Sequence, residues 1–335
     1  MKTKAIFFAL FVLNFLYSQK IKFTSIEKQN PIEGILIINK SGEYITKTDI
    51  NGEVDKNLIQ DKFYILSHPT LNTDTLFVDK ISNNEYKVHQ IKEMKIPEIV
   101  INNSTKDYIV SRGFFNSYVT NNGEFNIYID GIIEYVFDRK TNNLKDSNVI
   151  EYRSFYVEDA KEKTNRKEAS TFVFDNLVKL PNLSFFEEIK NNNEKITKKY
   201  NETSDESIFQ FSASKLTDKE FKFLGYAFTD VQRLEIVNCK GETAKVNNIL
   251  NFSDTNSIKI KHKSEQDFSK IITISNYYPK DIIYKNKDEL SKGVKFKRDI
   301  SNFKTNYWQN EAISSVFEFL SSKFKENFKQ SKNVN

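Results

Sequence analysis

Cysteine is almost missing from this chain. Cys239 is alone among 335 residues, which excludes an intramolecular disulfide framework and a metal site built on thiolates. It reads as a small buried apolar residue, because a nucleophilic role would need a neighbouring base. Histidine is nearly as scarce. His68, His89 and His262 are the whole supply, and no H-E-x-x-H or H-x-H brings two of them to ligand spacing. A G-x-S-x-G elbow, a P-loop and a G-x-G-x-x-G run are also missing. The motifs therefore point to no catalytic residue, no cofactor and no metal. With 9 Gly and 5 Pro, a collagenous or low-complexity chain is excluded.

Arginine is rare too. Of 50 basic residues only Arg112, Arg139, Arg153, Arg166, Arg233 and Arg298 are arginine. Base-reading proteins favour the bidentate guanidinium and cluster their positive charge. Here lysine alternates with Asp and Glu, and removing Lys2 and Lys4 leaves 5 − 2 = +3. No nucleic-acid partner is expected. Beyond the N-terminus no run approaches about 20 apolar residues, so no transmembrane helix is expected.

What the chain does have is aromatic residues, 29 Phe and 16 Tyr, enough to build the cores of two ordinary domains. The opening MKTKAIFFALFVLNFLYSQK has a basic start, an apolar run from Ala5 to Tyr17 and small Ser18. Residues 1–18 read as a secretory signal peptide cleaved after Ser18. No cysteine adjoins that point, so the expected product is exported, periplasmic or outer-membrane associated, and not a lipoprotein.

Residues 19–92 alternate short β-like runs with turn chemistry: 20–27, 33–39, 43–48, 53–56, 62–67, 73–78 and 85–91. Pro31, Ser41-Gly42 and Asn51-Gly52 supply bends, and Asn-Gly tolerates the positive φ of a tight hairpin. This spacing predicts a small antiparallel sandwich. The run Pro31-Ile32-Glu33-Gly34, an apolar strand, Thr48-Asp49 and Asn51-Gly52 resembles the carboxypeptidase regulatory-like domain, also described as prealbumin- or transthyretin-like. The resemblance implies that residues 48–52 are a turn feeding a core strand; Val54 fits, while the strand after it breaks early at Asp55-Lys56-Asn57. The functional rival is a calcium loop on Asp49, Asn51 and Asp55. DINGEVD lacks the EF-hand spacing, and calcium wants six to eight oxygens, so the turn reading is favoured.

Residues 93–106 read as a linker, and 107–330 as a larger antiparallel β domain with helices. Asn121-Asn122-Gly123 marks a hairpin, with Asn122 and Gly123 in the turn, and Asp130-Gly131 a bend. Residues 148–157, 207–214, 221–228, 231–238, 257–263, 269–277 and 281–285 read as strands. A capping box at Ser184 and Glu187 opens a helix over 184–200. Ile313, Val316, Phe317, Leu320, Phe324 and Phe328 follow helical spacing, which predicts a C-terminal amphipathic helix over 305–330 packed on the sheet. The stretches RGFFNSYVTNNGEFNIYIDGIIEYVFD, VIEYRSF and FKTNYWQNEAISSVFEFL, with Tyr307-Trp308 before the terminal segment, are similar to the region C-terminal to the regulatory-like domain in uncharacterised Gram-negative envelope proteins.

Two groups remain as candidates for chemistry. Asp130, Glu134 and Asp138 share strand parity, and a glycosidase's separated carboxylates leave no sequence motif, but a solvated face is the favoured reading; Glu187-Glu188, adjacent on a helix, point apart. Tyr128, Tyr135, Phe137, Tyr152, Phe155, Tyr277 and Tyr278 line a groove for carbohydrate or lipid if exposed, or fill a core if not. The expectation is a mainly β, non-catalytic envelope protein, binding or scaffolding an envelope protein or polymer. A carrier with an apolar cavity for lipid is the alternative, and a hydrolase the third reading.

Overall fold

The computed structural model describes residues 20–39, 44–49, 51–68, 71–90, 106–122, 124–157, 180, 181, 183, 197–203, 208–217, 219–240, 245–310 and 328–335. The fold is mainly β, and the chain divides into two units, Met1–Lys92 and Glu93–Asn335.

In the first unit β1 (Lys20–Ser25) lies between β4 (Glu53–Asp55) and β7 (Glu85–Val88), and β2 (Leu36–Ile38) lies between β3 (Tyr44–Lys47) and β5 (Phe63–His68), with β6 (Leu71–Phe77) beyond β5. Alternation decides which side chains go in: Ile21 and Phe23 of β1 are fully buried with Ile35, Ile37, Leu66, Leu76 and Val88. One pair departs from the expected antiparallel arrangement. β1 runs parallel to β7, with Phe23 opposite Tyr86. Parallel neighbours cannot be joined by a tight turn, and here the intervening strands serve as the crossover.

Among the described residues the second unit is built on one ten-stranded antiparallel sheet. Its strands are β8 (Tyr108–Asn121), β9 (Glu124–Asp138), β10 (Leu144–Tyr156), β11 (Thr197–Thr203), β12 (Ile208–Thr217), β13 (Phe221–Phe223), β14 (Tyr226–Lys240), β15 (Ile249–His262), β16 (Ser269–Lys285) and β17 (Lys329–Gln330). The order is β11-β12-β14-β15-β16-β8-β9-β10-β17, with β13 paired to β14. Directly opposed residues share a face. One face carries the main core, including Phe115, Ile129, Ile133, Tyr135, Tyr277 and Phe252.

Several expectations are corrected. Asp130-Gly131 is no bend: β9 runs straight through it. Residues 221–228 form a hairpin rather than one strand, with Leu224-Gly225 at its tip. Thr197–Tyr200, expected as the end of a helix, are strand, because the Tyr200 and Thr203 run finds a partner in β12; residues 184–196 lie outside the described residues. The ends of the expected C-terminal helix are also not helical. Tyr307–Gln309 form a single 3-10 turn, and Lys329–Gln330 pair with Tyr156 and Phe155. Its middle, 311–327, lies outside the described residues, as do residues 1–19, most of the expected linker, and Gly123.

Candidate functional site

The Thr48–Gly52 turn is structural in its hydrogen bonding. The fully buried Thr48 hydroxyl donates to the Ile32 carbonyl at 2.8 Å and accepts from the Ile35 amide at 2.9 Å. Asp49 Oδ1 accepts from the Asn51 and Glu53 amides, both at 2.9 Å, and the Asp55 carboxylate caps the next 3-10 turn. Gly52 sits at φ 72°, and a Cβ there would lie 2.8 Å from the Phe23 carbonyl oxygen, so the position needs glycine. Both acids that calcium would require are thus engaged with backbone amides. Among the described residues no three His, Cys, Asp or Glu converge as a metal site. Asn122, at φ 50°, does more than turn a hairpin: its amide donates to the Lys270 carbonyl and its Oδ1 accepts from the Lys270 amide, both at 2.7 Å.

The histidines stay apart. His89 Nδ1 lies 3.0 Å from Glu27 and His262 Nδ1 lies 2.7 Å from Ser264 Oγ. Cys239 is buried in the second core, and desolvation pushes its thiol up to about 12, which makes it unreactive. His68 is buried in the first unit, and desolvation pulls its imidazole down to about 4 from 6.5, against a raising hydrogen bond from the Glu33 backbone. Between those two values the unfolded chain binds the extra proton and the folded one does not. Stability of the first unit is therefore expected to fall as pH drops from 6.5 towards 4, by about 3 kcal/mol in the limit. Amide exchange of the first unit at pH 7 and pH 4.5 reads this, and His68→Gln is expected to flatten the difference.

The three same-parity carboxylates are brought onto one strand and given to three separate tasks. Asp138 caps its turn, accepting from the Lys140 and Thr141 amides at 3.0 and 2.8 Å; the Thr141 amide chiefly holds its carboxyl below the ordinary range. Glu134, fully buried, lies between Arg112 at 3.6 Å and Lys285 at 3.5 Å. Asp130, also fully buried, takes the Arg153 guanidinium in two bonds, 2.9 Å from Nε and 2.5 Å from NH2. Tyr128 donates to its Oδ2 at 3.0 Å and Tyr307 to its Oδ1 at 2.7 Å. Burial, and then the negative Asp130, push both phenols well up from their ordinary value. Arg153 lies against the Trp308 ring at 4.1 Å, a distance at which the ring quadrupole attracts the cation. Nearby, Glu151 Oε2 accepts from the Lys304 and Thr305 amides, both at 2.9 Å. Asp130, Arg153 and Glu151 together bind the 301–310 segment across the strands.

The opposite face, which carries the main core, holds a second polar row that sequence reading missed. Glu235, Asp254, Ser275 and Ser117 oppose one another in turn across β14, β15, β16 and β8. Arg233 pairs with Glu235 and lies 3.4 Å from Asp254, and the two serine hydroxyls are 2.9 Å apart. A usable signal existed in the sequence. Arg112, Arg153 and Arg233, three of the six arginines, sit in strands beside a fully buried carboxylate, where a guanidinium is the residue that can satisfy it.

The seven candidate groove aromatics are all buried. Tyr135 meets Tyr277 edge-on at 4.8 Å and Tyr128 meets Phe155 at 5.6 Å; they fill the two faces of the sheet instead of lining an open groove. No helix among the described residues is long and apolar enough to cross a membrane. No protein-family model matches the chain, and no curated protein matches it.

Proposed function

We propose that this is an exported, non-catalytic component of the cell envelope that binds or scaffolds an envelope protein or polymer, with a prealbumin-like N-terminal unit. What carries the reading is the disposition of the carboxylates along β9. Asp130, Glu134 and Asp138 each answer to different cations or amides, so no two of them converge on a common space as general acid and base must. Charges used this way hold strands and the 301–310 segment in place, which suits a rigid platform. The seven buried aromatics favour a platform over a carrier, since they occupy the faces that an acyl chain would have to enter.

Crosslinking in intact envelopes, with capture of the chain and mass spectrometry of proteins and lipids, tests the proposal. Reproducible enrichment of an envelope protein or polymer is the expected result. Recovery of the chain with its N-terminal 18 residues from the cytosol would overturn export, and stoichiometric co-purifying lipid would replace the platform by the carrier.

A further inference from the structure

The β13–β14 hairpin spends residues in a way that folding does not explain. Its two-residue loop, Leu224-Gly225, has φ of 48° and 84°. Two positive φ values in succession belong to the turn type that selects Asn-Gly, and a branched apolar residue such as Leu is unfavourable in the first of them. The same Leu224 leaves 79% of its surface exposed, beside Phe223 at 64% and Phe221 at 48%. Three large apolar side chains on one tip, the most exposed of them in a backbone conformation it disfavours, leave much of their surface to solvent.

The tip is continuous with the core behind it. Phe221 stacks on Phe228 at 4.8 Å with the rings 11° apart, and Phe223 opposes Tyr226, which packs against His262 at 4.9 Å. Phe228 and Tyr226 in turn pack on the main apolar cluster. The result is a stiff aromatic tongue rather than a loose loop. Cations surround it. Lys219, Lys222 and Lys263 are exposed beside the tip, and Lys261 is half-buried behind it. Glu220 lies 3.4 Å from Lys222 and offsets its charge, Glu265 accepts from the His262 amide at 2.6 Å, and Asp267 is exposed in the adjoining turn, so Lys219 and Lys263 carry the positive charge beside the tip.

Apolar residues at the end of a rigid element, ringed by lysine, match the boundary between acyl chains and anionic headgroups: the side chains enter the apolar layer while the ammonium groups stay with the phosphates. We infer that the Phe221–Leu224 tip inserts into the surface of an anionic lipid bilayer and anchors the second unit there. This rests on the hairpin alone and does not require the envelope role proposed above.

The buried Cys239 leaves the full chain open to single-site labelling. An environment-sensitive dye on Leu224→Cys is expected to shift to the blue with vesicles of phosphatidylcholine and phosphatidylglycerol, and much less with phosphatidylcholine alone. Phe221→Ser/Phe223→Ser is expected to weaken the vesicle dependence of that shift roughly tenfold or more, each aromatic carrying a large transfer term. High salt is expected to weaken it as well, by screening the lysines. Unlabelled Leu224→Asn, which suits the turn and retains the fold, is expected to compete less well for the vesicles than the parent chain. A dye that stays unshifted on anionic vesicles would overturn the inference. An equal shift on neutral ones, or a shift rising with protein concentration in the absence of lipid, would overturn it too, the last pointing to a second copy of the chain.

Discussion

Asp130→Ala is expected to destabilise the second unit by about 3–5 kcal/mol, the range for breaking a buried ion pair from one side. The carboxylate takes two bonds from Arg153 and one each from Tyr128 and Tyr307. Its removal leaves a guanidinium that is only 9% exposed without its counter-charge, and two buried phenols short of their acceptor. Trp308 is the only tryptophan and stacks on that guanidinium, so urea unfolding monitored by its fluorescence reports directly on the cluster. The variant should also speed proteolysis at the exposed Lys304, because Tyr307 is one of the ties on that segment. Asp130→Leu/Arg153→Met is expected to recover the part of the loss due to the unpaired guanidinium, since two apolar side chains leave no buried charge behind, while Tyr128 and Tyr307 still lack the carboxylate acceptor. A single variant within about 1 kcal/mol of the parent, the span of a surface ion pair, would show that the pair is solvated after all.

Gly131→Ala is the second large effect. A Cβ at this position would lie 2.2 Å from the Glu151 carbonyl oxygen and 2.7 Å from Phe115 Cε1. Phe115 is fully buried, and the carbonyl belongs to the adjoining strand, so neither neighbour is the loose end of a side chain. The strands must separate at a point where Tyr152 opposes Gly131 and the ladder already shifts register between Val149 and Glu151. The expected cost is about 3 kcal/mol, the upper end for overpacking a close-packed core. Gly225→Asn, in an exposed turn with φ of 84° where a Cβ would lie 3.3 Å from His262 Nε2, is the milder comparison and should cost only about 1 kcal/mol on the same Trp308 transition. If Gly131→Ala behaves like that comparison, the strands at this point are more pliable than their packing implies.

The fold class was legible because alternation works wherever one face is apolar: Ile21 and Phe23 alternate with exposed Lys20 and Lys22, and β1 is seen at once. It fails where polar residues are themselves buried. The strand expected at 257–263 begins earlier, and the ILNFSDTN run at 249–256 is the first half of β15. Asn251 bonds Asn238 at 2.7 Å, Ser253 bonds Asn276 at 2.9 Å, and Asp254 lies beside Arg233. Partners supplied by strands elsewhere in the chain cancel the desolvation cost that local reading charges against each residue. The Asp130-Gly131 bend was misjudged for the same reason: Asp130 faces an arginine 23 residues away, and Gly131 makes room for Phe115. The Asp49-Gly52 half of the turn needed no distant partner, because Asp49 bonds amides two and four residues on, and its geometry could be read directly.

The pairing of β8 with β16 has a further consequence, for the time course of folding. Residues 108–121 receive their second neighbour only from residues 269–285. During synthesis the β8–β9–β10 hairpins can assemble early, but β8 then waits as an unpaired edge until the chain is almost complete. Contacts of such long sequence separation close slowly, and an exposed aromatic edge is where chains stick to one another in the meantime. Refolding yield should therefore fall with protein concentration well before equilibrium stability does, and the β8 strand is where that competition between closure and aggregation is decided.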